Sequence, residues 1–181
     1  MQRISRRTVY EGRIVTIRED RMRLVGGEER VWTTVQHPGA VVIVPILSDG
    51  TILLVRQPRP STDDVLLELP AGTRETGEEA IETARRELQE EIAHDAEVLT
   101  PLGGFYSAPG FCDEFLHLFV ATDLRPVEGV EQDDDEEITV EPTAPGDVPD
   151  LIRSGEIRDA KSIAGLLRYL YLEGGLRESG R

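Results

Sequence analysis

The sequence contains a single cysteine and no long apolar run, and both features exclude broad classes of protein. Because Cys112 has no second cysteine to pair with, an internal disulfide is excluded, and we expect a cytoplasmic protein from a reducing compartment. No stretch approaches the roughly 20 apolar residues of a transmembrane helix. The basic start of the chain, residues 1–7, is not followed by the apolar segment of a signal peptide. We therefore expect no membrane partner.

Basic residues are also scarce relative to acidic ones. The chain has 20 Lys and Arg against 35 Asp and Glu, a formal net charge of −15. Because binding to a nucleic-acid backbone needs a basic surface, this balance argues against a nucleic-acid partner. An anionic small-molecule substrate would have to be attracted by a metal ion and nearby arginines rather than by the overall field. The length of 181 residues predicts one domain, residues 1–181, with a sizeable core.

A dense group of carboxylates lies on a predicted helix that ends near Ile92. Glu87 and Glu91 are four residues apart, so they lie about 40° from each other on one helical face, with Glu90 at the edge of that face. Like charges this close repel each other. A hard divalent cation with oxygen ligands would convert that repulsion into binding, so the spacing predicts a metal site.

The helix is predicted from four apolar residues at helical spacing: Ile81, Ala84, Leu88 and Ile92. We expect Thr76 to cap its start, with Glu78 and Glu79 in the first turn, where the helix dipole favours anions. Residues 66–69 predict a short strand that runs into a tight loop at Gly72. Strand, loop and acidic helix together would form a cradle for a metal-bound phosphate.

Alternating and continuous apolar segments predict the remaining elements. Residues 9–24 predict an antiparallel hairpin with its turn near Glu19 and Asp20, and a second turn follows at residues 26–27. The nearly continuous apolar run 40–47 predicts a central strand that is buried on both faces. Further strands are predicted at 30–35, 51–57, 99–105, 114–122 and 138–142, and a second helix at 163–172. The fold class is α/β, a mixed β-sheet sandwiched between helices, with an N-terminal antiparallel hairpin.

Residues 72–94 resemble the Nudix box, whose pattern is G-x5-E-x7-R-E-U-x-E-E-x-G-U with U a bulky apolar residue. The glycine and charged positions that match are Gly72, Glu78, Arg86, Glu87, Glu90 and Glu91. The chain departs from the pattern at Ala93, where the family has glycine, and at His94, where it has an apolar residue. The resemblance implies the Nudix fold and hydrolysis of a nucleoside diphosphate linked to another group.

Further segments resemble the ADP-ribose pyrophosphatase branch of this family. They are residues 37–42, 54–59, 68–72, 107–114 and 155–162. This resemblance implies Mg²⁺-dependent hydrolysis of ADP-ribose to AMP and ribose 5-phosphate. One alternative is another nucleoside diphosphate sugar, such as GDP-mannose or UDP-glucose. A second is a sensor that binds ADP-ribose without cleaving it, which the retained carboxylates and the acidic charge disfavour.

The resemblance also implies which residues bind metal. Glu87 and Glu91 would hold the essential Mg²⁺, for which Mn²⁺ is the alternative ion. Glu90 would share that ion or bridge a second one, and the backbone carbonyl of Ala71 is a further implied ligand. These carboxylates and this carbonyl are the hard oxygen donors that such ions prefer.

The implied substrate-binding residues are Arg56, Gln57, Arg59, Pro109 and Gly110. Among these, Arg59 is the first candidate for contact with the diphosphate or the terminal ribose. Trp32 has two readings: it stacks on adenine, or it belongs to the core or an interface. Glu78 and Arg86 would pair behind the loop and fix its shape. Family members usually form homodimers whose N-terminal strands complete the partner's site, a role open to residues 1–30.

The acidic segment 128–141 has two interpretations. Its composition alone is typical of a solvated loop. The resemblance instead implies that this loop carries the catalytic carboxylate, which would take a proton from the attacking water. Glu136 is the first candidate, with Glu137 and Asp135 as alternatives and Glu90 as a further catalytic residue. A base carried by a loop also predicts closure of that loop on the substrate.

Overall fold

The structure is a computed structural model that describes residues 1–129 and 137–172. Its ten strands are β1 (Gln2–Glu11), β2 (Thr16–Arg23), β3 (Glu29–Gln36), β4 (Ala40–Pro45), β5 (Ile52–Arg59), β6 (Asp64–Glu68), β7 (Ala71–Thr73), β8 (His94–Tyr106), β9 (Phe115–Pro126) and β10 (Thr139–Thr143). Its helices are α1 (Ala80–Ile92), α2 (Val148–Ser154) and α3 (Ala160–Leu167), and a π-helical turn (Arg168–Leu172) follows α3. In this part of the chain, no helix is long and apolar enough to cross a membrane.

The strands form three sheets, in the orders β1-β2-β3, β10-β5-β6 and β7-β4-β9-β8. In the third sheet β4 runs parallel to β9, whereas β7 and β8 pair in the antiparallel direction, so this sheet is mixed. Every residue of β4 is buried. A strand covered on both faces has no polar side to show, which explains the continuous apolar run in the sequence. The prediction of a central buried strand is confirmed.

Successive residues of β4 point to opposite faces and therefore enter two different cores. Val41 and Ile43 pack in one core with Leu88 of α1. Val42 and Val44 pack in the other core, which includes residues of α3 and of the turn after it. The predicted sandwich of a mixed sheet between helices is confirmed.

The N-terminal hairpin is present, but its turn is not where the sequence placed it. The chain reverses between β1 and β2 at Gly12, whose N–H donates to the carbonyl of Val15 at 2.9 Å. Asp20, predicted to lie in the turn, sits within β2 opposite Arg6. Two hydrogen bonds of 2.6 Å from the Arg6 guanidinium hold its carboxylate and lower the pKa of Asp20. An acidic pair indicates a turn only where no basic side chain on a neighbouring strand neutralises it.

The start of α1 also differs from the prediction. Thr76 does not cap the helix, because α1 begins after Glu79, whose N–H donates to the Glu82 carboxylate at 3.0 Å. Glu78 precedes the helix instead of entering its first turn, since its carboxylate accepts from the Glu75 N–H at 3.1 Å and the Thr83 hydroxyl at 2.8 Å. The apolar stripe is confirmed except at Ile81, which is 45% exposed.

The C-terminal helical region is longer and more divided than predicted. Helix α2 was not predicted, because its seven residues are too few to show a helical period. Helix α3 begins at Ala160, earlier than the predicted residue 163, because Asp159 caps it by accepting from the Ser162 N–H at 3.0 Å. The capping residue lies before the apolar stripe, so a prediction from periodicity alone places the start of the helix too late.

Candidate active site

Two buried carboxylates of α1 lie against the backbone of β7. A Cβ atom added at Gly72 would come within 3 Å of both carboxylate oxygens of Glu87, so the carboxylate holds this position only because residue 72 is glycine. The Ala71 N–H donates to Glu91 Oε2 at 3.1 Å. Glu87 and Glu91 are only 7% and 2% exposed. The tight loop between strand and helix therefore brings both carboxylates to the same short stretch of backbone.

Arg86 supplies the positive charge among these carboxylates. Its Nη1 donates to Glu87 at 2.6 Å and to Glu90 at 2.8 Å, and its Nε donates to Glu78 at 3.2 Å. A further bond of 3.2 Å from Nη2 reaches the carbonyl of Thr73. The expected pairing of Glu78 with Arg86 behind the loop is therefore present.

These contacts shift the protonation of both partners. The hydrogen bond from Arg86 lowers the pKa of Glu78 to about 2, although burial opposes the change. Burial alone would lower the pKa of Arg86, yet its hydrogen bonds and charge interactions with Glu78, Glu87 and Glu90 raise it above the ordinary value. Glu78 and Arg86 are thus both charged throughout the neutral range and hold the loop between β7 and α1.

The oxygen donors of this carboxylate group are of the type that a hard divalent cation binds, although they do not all point to one position. Glu91 accepts from the Ala71 N–H, and Glu87 and Glu90 line the cleft together with Ala71. Carboxylate and carbonyl oxygens are the ligand types that Mg²⁺ and Mn²⁺ take. Within residues 1–129 and 137–172, no group of three or more acidic, His or Cys side chains is arranged to hold a metal ion. Arg86 explains this arrangement, since it engages Glu87 and Glu90 itself. The assignment of these ligands stays a prediction.

A cleft of about 1030 Å³ opens beside this carboxylate group. Its lining includes four arginines and two of the carboxylates: Arg13, Arg59, Arg74, Arg86, Glu87 and Glu90. Arginines suit an anionic diphosphate because the guanidinium group binds phosphate oxygens in pairs. A cleft with both features can accommodate a diphosphate together with a cation. The net charge of −15 would not by itself attract the anionic diphosphate.

Arg59 reaches the cleft from the end of β5 and is held by Glu68. Its Nη2 donates to Glu68 Oε2 at 2.6 Å, and its Nε lies 3.2 Å from the same oxygen. Glu68 is only 2% exposed and also accepts from Lys161 Nζ at 2.5 Å. Sequence reasoning missed Glu68 and Lys161 as site residues. The available signal was an acidic residue inside the apolar run 66–69.

The other two predicted residues of β5 do not line the cleft. Arg56 is on the opposite face of the strand, where Glu141 and Glu156 both pair with its guanidinium. Gln57 is only 5% exposed and lies within the protein. Because side chains alternate along a strand, Arg56 and Arg59 face opposite sides, whereas Gln57 shares the side of Arg59 but is buried there. The structure thus places Arg59 on the cleft, but not Arg56 or Gln57.

Residues 108–113 form a loop that docks on β3. The Val35 N–H donates to the carbonyl of Phe111 at 2.7 Å, and the Asp113 N–H donates back to Val35 at 3.1 Å. Pro109 and Gly110 are exposed in this loop. Trp32, on β3, is 37% exposed. These three residues do not line the cleft within this chain, and their substrate roles stay predictions.

The candidate catalytic loop is described only in part. Glu137 is exposed and lies two residues before the start of β10. Glu136 and Asp135 lie outside the described residues. Glu90 lies in the cleft with its carboxylate bound to Arg86. The choice among these carboxylates is therefore a matter for experiment.

Comparisons with known proteins identify what this chain resembles. Residues 36–166 match the NUDIX domain family. The chain is 35% identical over 175 residues to the ADP-ribose pyrophosphatase of Bacillus subtilis (strain 168), which covers 96% of this chain and 94% of that protein. It is 33% identical, with the same coverage, to the methanol dehydrogenase activator of Bacillus methanolicus. The crystal structure of an ADP compounds hydrolase matches with a TM-score of 0.84 and 26% identity over 96% of both chains.

Proposed function

The chain belongs to the NUDIX domain family, and we propose that it is a metal-dependent pyrophosphatase that hydrolyses ADP-ribose to AMP and ribose 5-phosphate. The observation that carries this proposal is the cleft in which Arg59 and Arg86 lie beside Glu87 and Glu90. A site with both charges matches a substrate whose reacting bond joins two anionic phosphates. The choice of ADP-ribose is supported by the names of relatives, among them the Bacillus subtilis pyrophosphatase.

We propose Mg²⁺, or Mn²⁺ in its place, as the cation. Glu87 and Glu91 would hold it, with Glu90 and the carbonyl of Ala71 as further ligands. When bound there, such a cation would neutralise charge on the diphosphate oxygens and lower the pKa of water. Since Arg86 pairs with Glu87 and Glu90 in this structure, it holds both carboxylates at the edge of the cleft where the cation would bind.

The residues of the chain divide the remaining tasks. Arg59 would orient the diphosphate, because it lines the cleft while Glu68 fixes its position. A carboxylate of the loop before β10, Glu136 or its neighbour Glu137, would accept the proton of the attacking water. Glu90 would serve the site through metal binding or as the alternative base.

We further propose that the protein works as a cytoplasmic homodimer joined through its N-terminal strands. Residues 1–30 carry eight arginines against five acidic residues, whereas the rest of the chain has 12 basic and 30 acidic residues. A basic sheet complements an acidic body of a second copy. Tyr10, Val31 and Trp32 are among the large apolar residues exposed on this sheet. Analytical ultracentrifugation tests the proposal, which a strictly monomeric wild-type protein would contradict.

Hydrolysis of a substrate panel tests the reaction itself. Purified protein is assayed with ADP-ribose, GDP-mannose and UDP-glucose, each with Mg²⁺ and with EDTA, and the products are identified by chromatography. We expect AMP and ribose 5-phosphate from ADP-ribose, and loss of the reaction in EDTA. Faster cleavage of another nucleotide sugar would reassign the substrate. Binding of ADP-ribose without cleavage would favour the sensor interpretation.

A further inference from the structure

Lys161, in the first turn of α3, shares the buried carboxylate of Glu68 with the cleft arginine Arg59. Lys161 Nζ lies 2.5 Å from Glu68 Oε2, and Arg59 Nη2 lies 2.6 Å from the same oxygen. Lys161 is only 17% exposed at its side chain, compared with 33% for Arg59. The residue is remote in sequence from Glu68, and it belongs to neither the carboxylate group nor the lining of the main cleft.

We propose that Lys161 is a positioning residue for Arg59. By taking part of the charge of Glu68, Lys161 keeps Arg59 from being held by that carboxylate alone, so its guanidinium stays available to the diphosphate. This inference rests on the proposed function, since it assumes that Arg59 contacts the substrate in the cleft.

The energetic reason lies in the burial of Glu68. A carboxylate that is 2% exposed is cut off from water, so its interactions with nearby cations are strong. With two cations on Oε2, neither one neutralises the charge by itself. Without Lys161, the whole charge of Glu68 would act on Arg59, and the guanidinium would lose contact with the cleft more readily than it would leave Glu68.

Lys161 is not needed to attach α3 to the rest of the protein. The helix is capped by Asp159 through the Ser162 N–H, and the Ser162 hydroxyl accepts from the buried Leu69 N–H at 2.7 Å. Gly165 of α3 also packs so closely that an added Cβ would lie 2.7 Å from Leu69 Cδ1. Lys161 Nζ also donates to the capping oxygen of Asp159 at 3.0 Å. The Ser162 N–H, the Ser162 hydroxyl and the close packing of Gly165 hold the helix through other atoms, so the unfolding measurements below separate a positioning role from a structural one.

The test is a double-mutant cycle on binding of α,β-methylene ADP-ribose, measured by calorimetry in the presence of Mg²⁺. We expect Lys161→Met to weaken binding on the order of tenfold, as loss of a charged contact at a partly buried site does. Lys161→Arg should stay within about threefold of the wild type because it restores the charge. In an Arg59→Met background, Lys161→Met should weaken binding by less than about twofold, since its effect on binding depends on Arg59.

The matched control is Arg158→Met. Arg158 lies three residues before Lys161, and its exposed ion pair is with Asp64 rather than Glu68. It removes one positive charge from the same segment and should leave binding within about twofold. Urea unfolding of each variant reports stability separately, and Lys161→Gln replaces Lys161→Met if the latter does not fold.

A second measurement needs no ligand. The Arg59 Nε–H signal in ¹⁵N NMR should move downfield and exchange more slowly in Lys161→Met, because its hydrogen bond to Glu68 strengthens. Arg158→Met should leave the signal unchanged. An unchanged Arg59 signal in Lys161→Met, or equal losses of binding with and without Arg59, would overturn the inference. If the wild type fails to bind the ADP-ribose analogue, the proposed substrate is wrong, and the NMR result decides the positioning role by itself.

Discussion

Gly72 packs directly against the carboxylate of Glu87. A side chain at position 72 would overlap both oxygens of Glu87, which must then leave the backbone of β7. We expect Gly72→Ala to reduce kcat/KM by about 100-fold or more, because a misplaced ligand removes stabilisation of the transition state. Steady-state kinetics with ADP-ribose and Mg²⁺ measure the effect.

The control for this substitution is Gly146→Ala. Gly146 is not in a left-handed conformation, and an added Cβ meets nothing within 4 Å. We expect kinetics within about twofold of the wild type, as for an ordinary surface change. Full activity of Gly72→Ala would show that Glu87 need not occupy its observed position.

A substitution at Glu91 best separates an effect on folding from an effect on catalysis. Its Oε2 accepts from the Ala71 N–H, an interaction that the amide oxygen of glutamine can keep. We therefore expect Glu91→Gln to fold normally and to lose essentially all turnover together with Mn²⁺ affinity, measured by electron paramagnetic resonance. Glu97→Gln, which alters an exposed carboxylate paired with Arg125, is the control. Normal activity of Glu91→Gln would refute the metal assignment.

The two neighbouring candidates for the catalytic base differ in what their substitution should do. We expect Glu136→Gln to lower kcat by about 100-fold or more with a smaller change in KM, because a general base acts in the transition state. Glu128→Gln, in the same acidic segment, should have little effect. If Glu137→Gln is the inactive variant instead, the base is one residue later, and if both remain active, the loop does not carry it.

Glu78 links stability to pH. Its folded pKa of about 2 lies below the ordinary value for glutamate, mainly because of the hydrogen bond from Arg86. The stabilisation is therefore complete above about pH 5, where the unfolded state is also ionised, and is lost as the pH falls toward the folded pKa. Urea unfolding between neutral pH and pH 3 should show this loss in the wild type. Glu78→Gln should be less stable at neutral pH, and its free energy of unfolding should depend less on pH across this window. An equally steep decline in that variant would contradict the assignment.

Two helices in the described part of the chain end at a residue in the left-handed conformation, and they offer a matched pair of substitutions. Ala93 ends α1 at φ 52°, and Gly155 ends α2 at φ 80°. Because a Cβ disfavours this conformation, we expect Ala93→Gly to raise the free energy of unfolding by about 0.5–1 kcal/mol and Gly155→Ala to lower it by about 1 kcal/mol. Urea denaturation measures both. A loss of stability in Ala93→Gly would mean that the added freedom of the unfolded chain outweighs the relieved strain.

Local patterns predicted the features that depend on neighbours in sequence. The run 40–47 predicted a buried central strand, and Ala84, Leu88 and Ile92 predicted the buried face of α1. The same periodicity failed where a side chain finds a distant partner. Asp20 lies within a strand rather than in a turn because Arg6 neutralises it from β1. A short local window cannot contain that partner, so the turn was misplaced.

The sequence by itself determined the acidic helix, the glycine before it and the family to which both belong, because helical spacing and covalent order place those residues on one face and next to one loop. Only the tertiary structure decided that Arg59 reaches the cleft while Arg56 turns away to Glu141, and that Lys161 meets Glu68 from a distant helix. Both outcomes depend on strand pairing and on the packing of α3 against the sheet. Contacts of this kind are set by the balance of burial and charge in the folded chain, which spacing along the sequence does not encode.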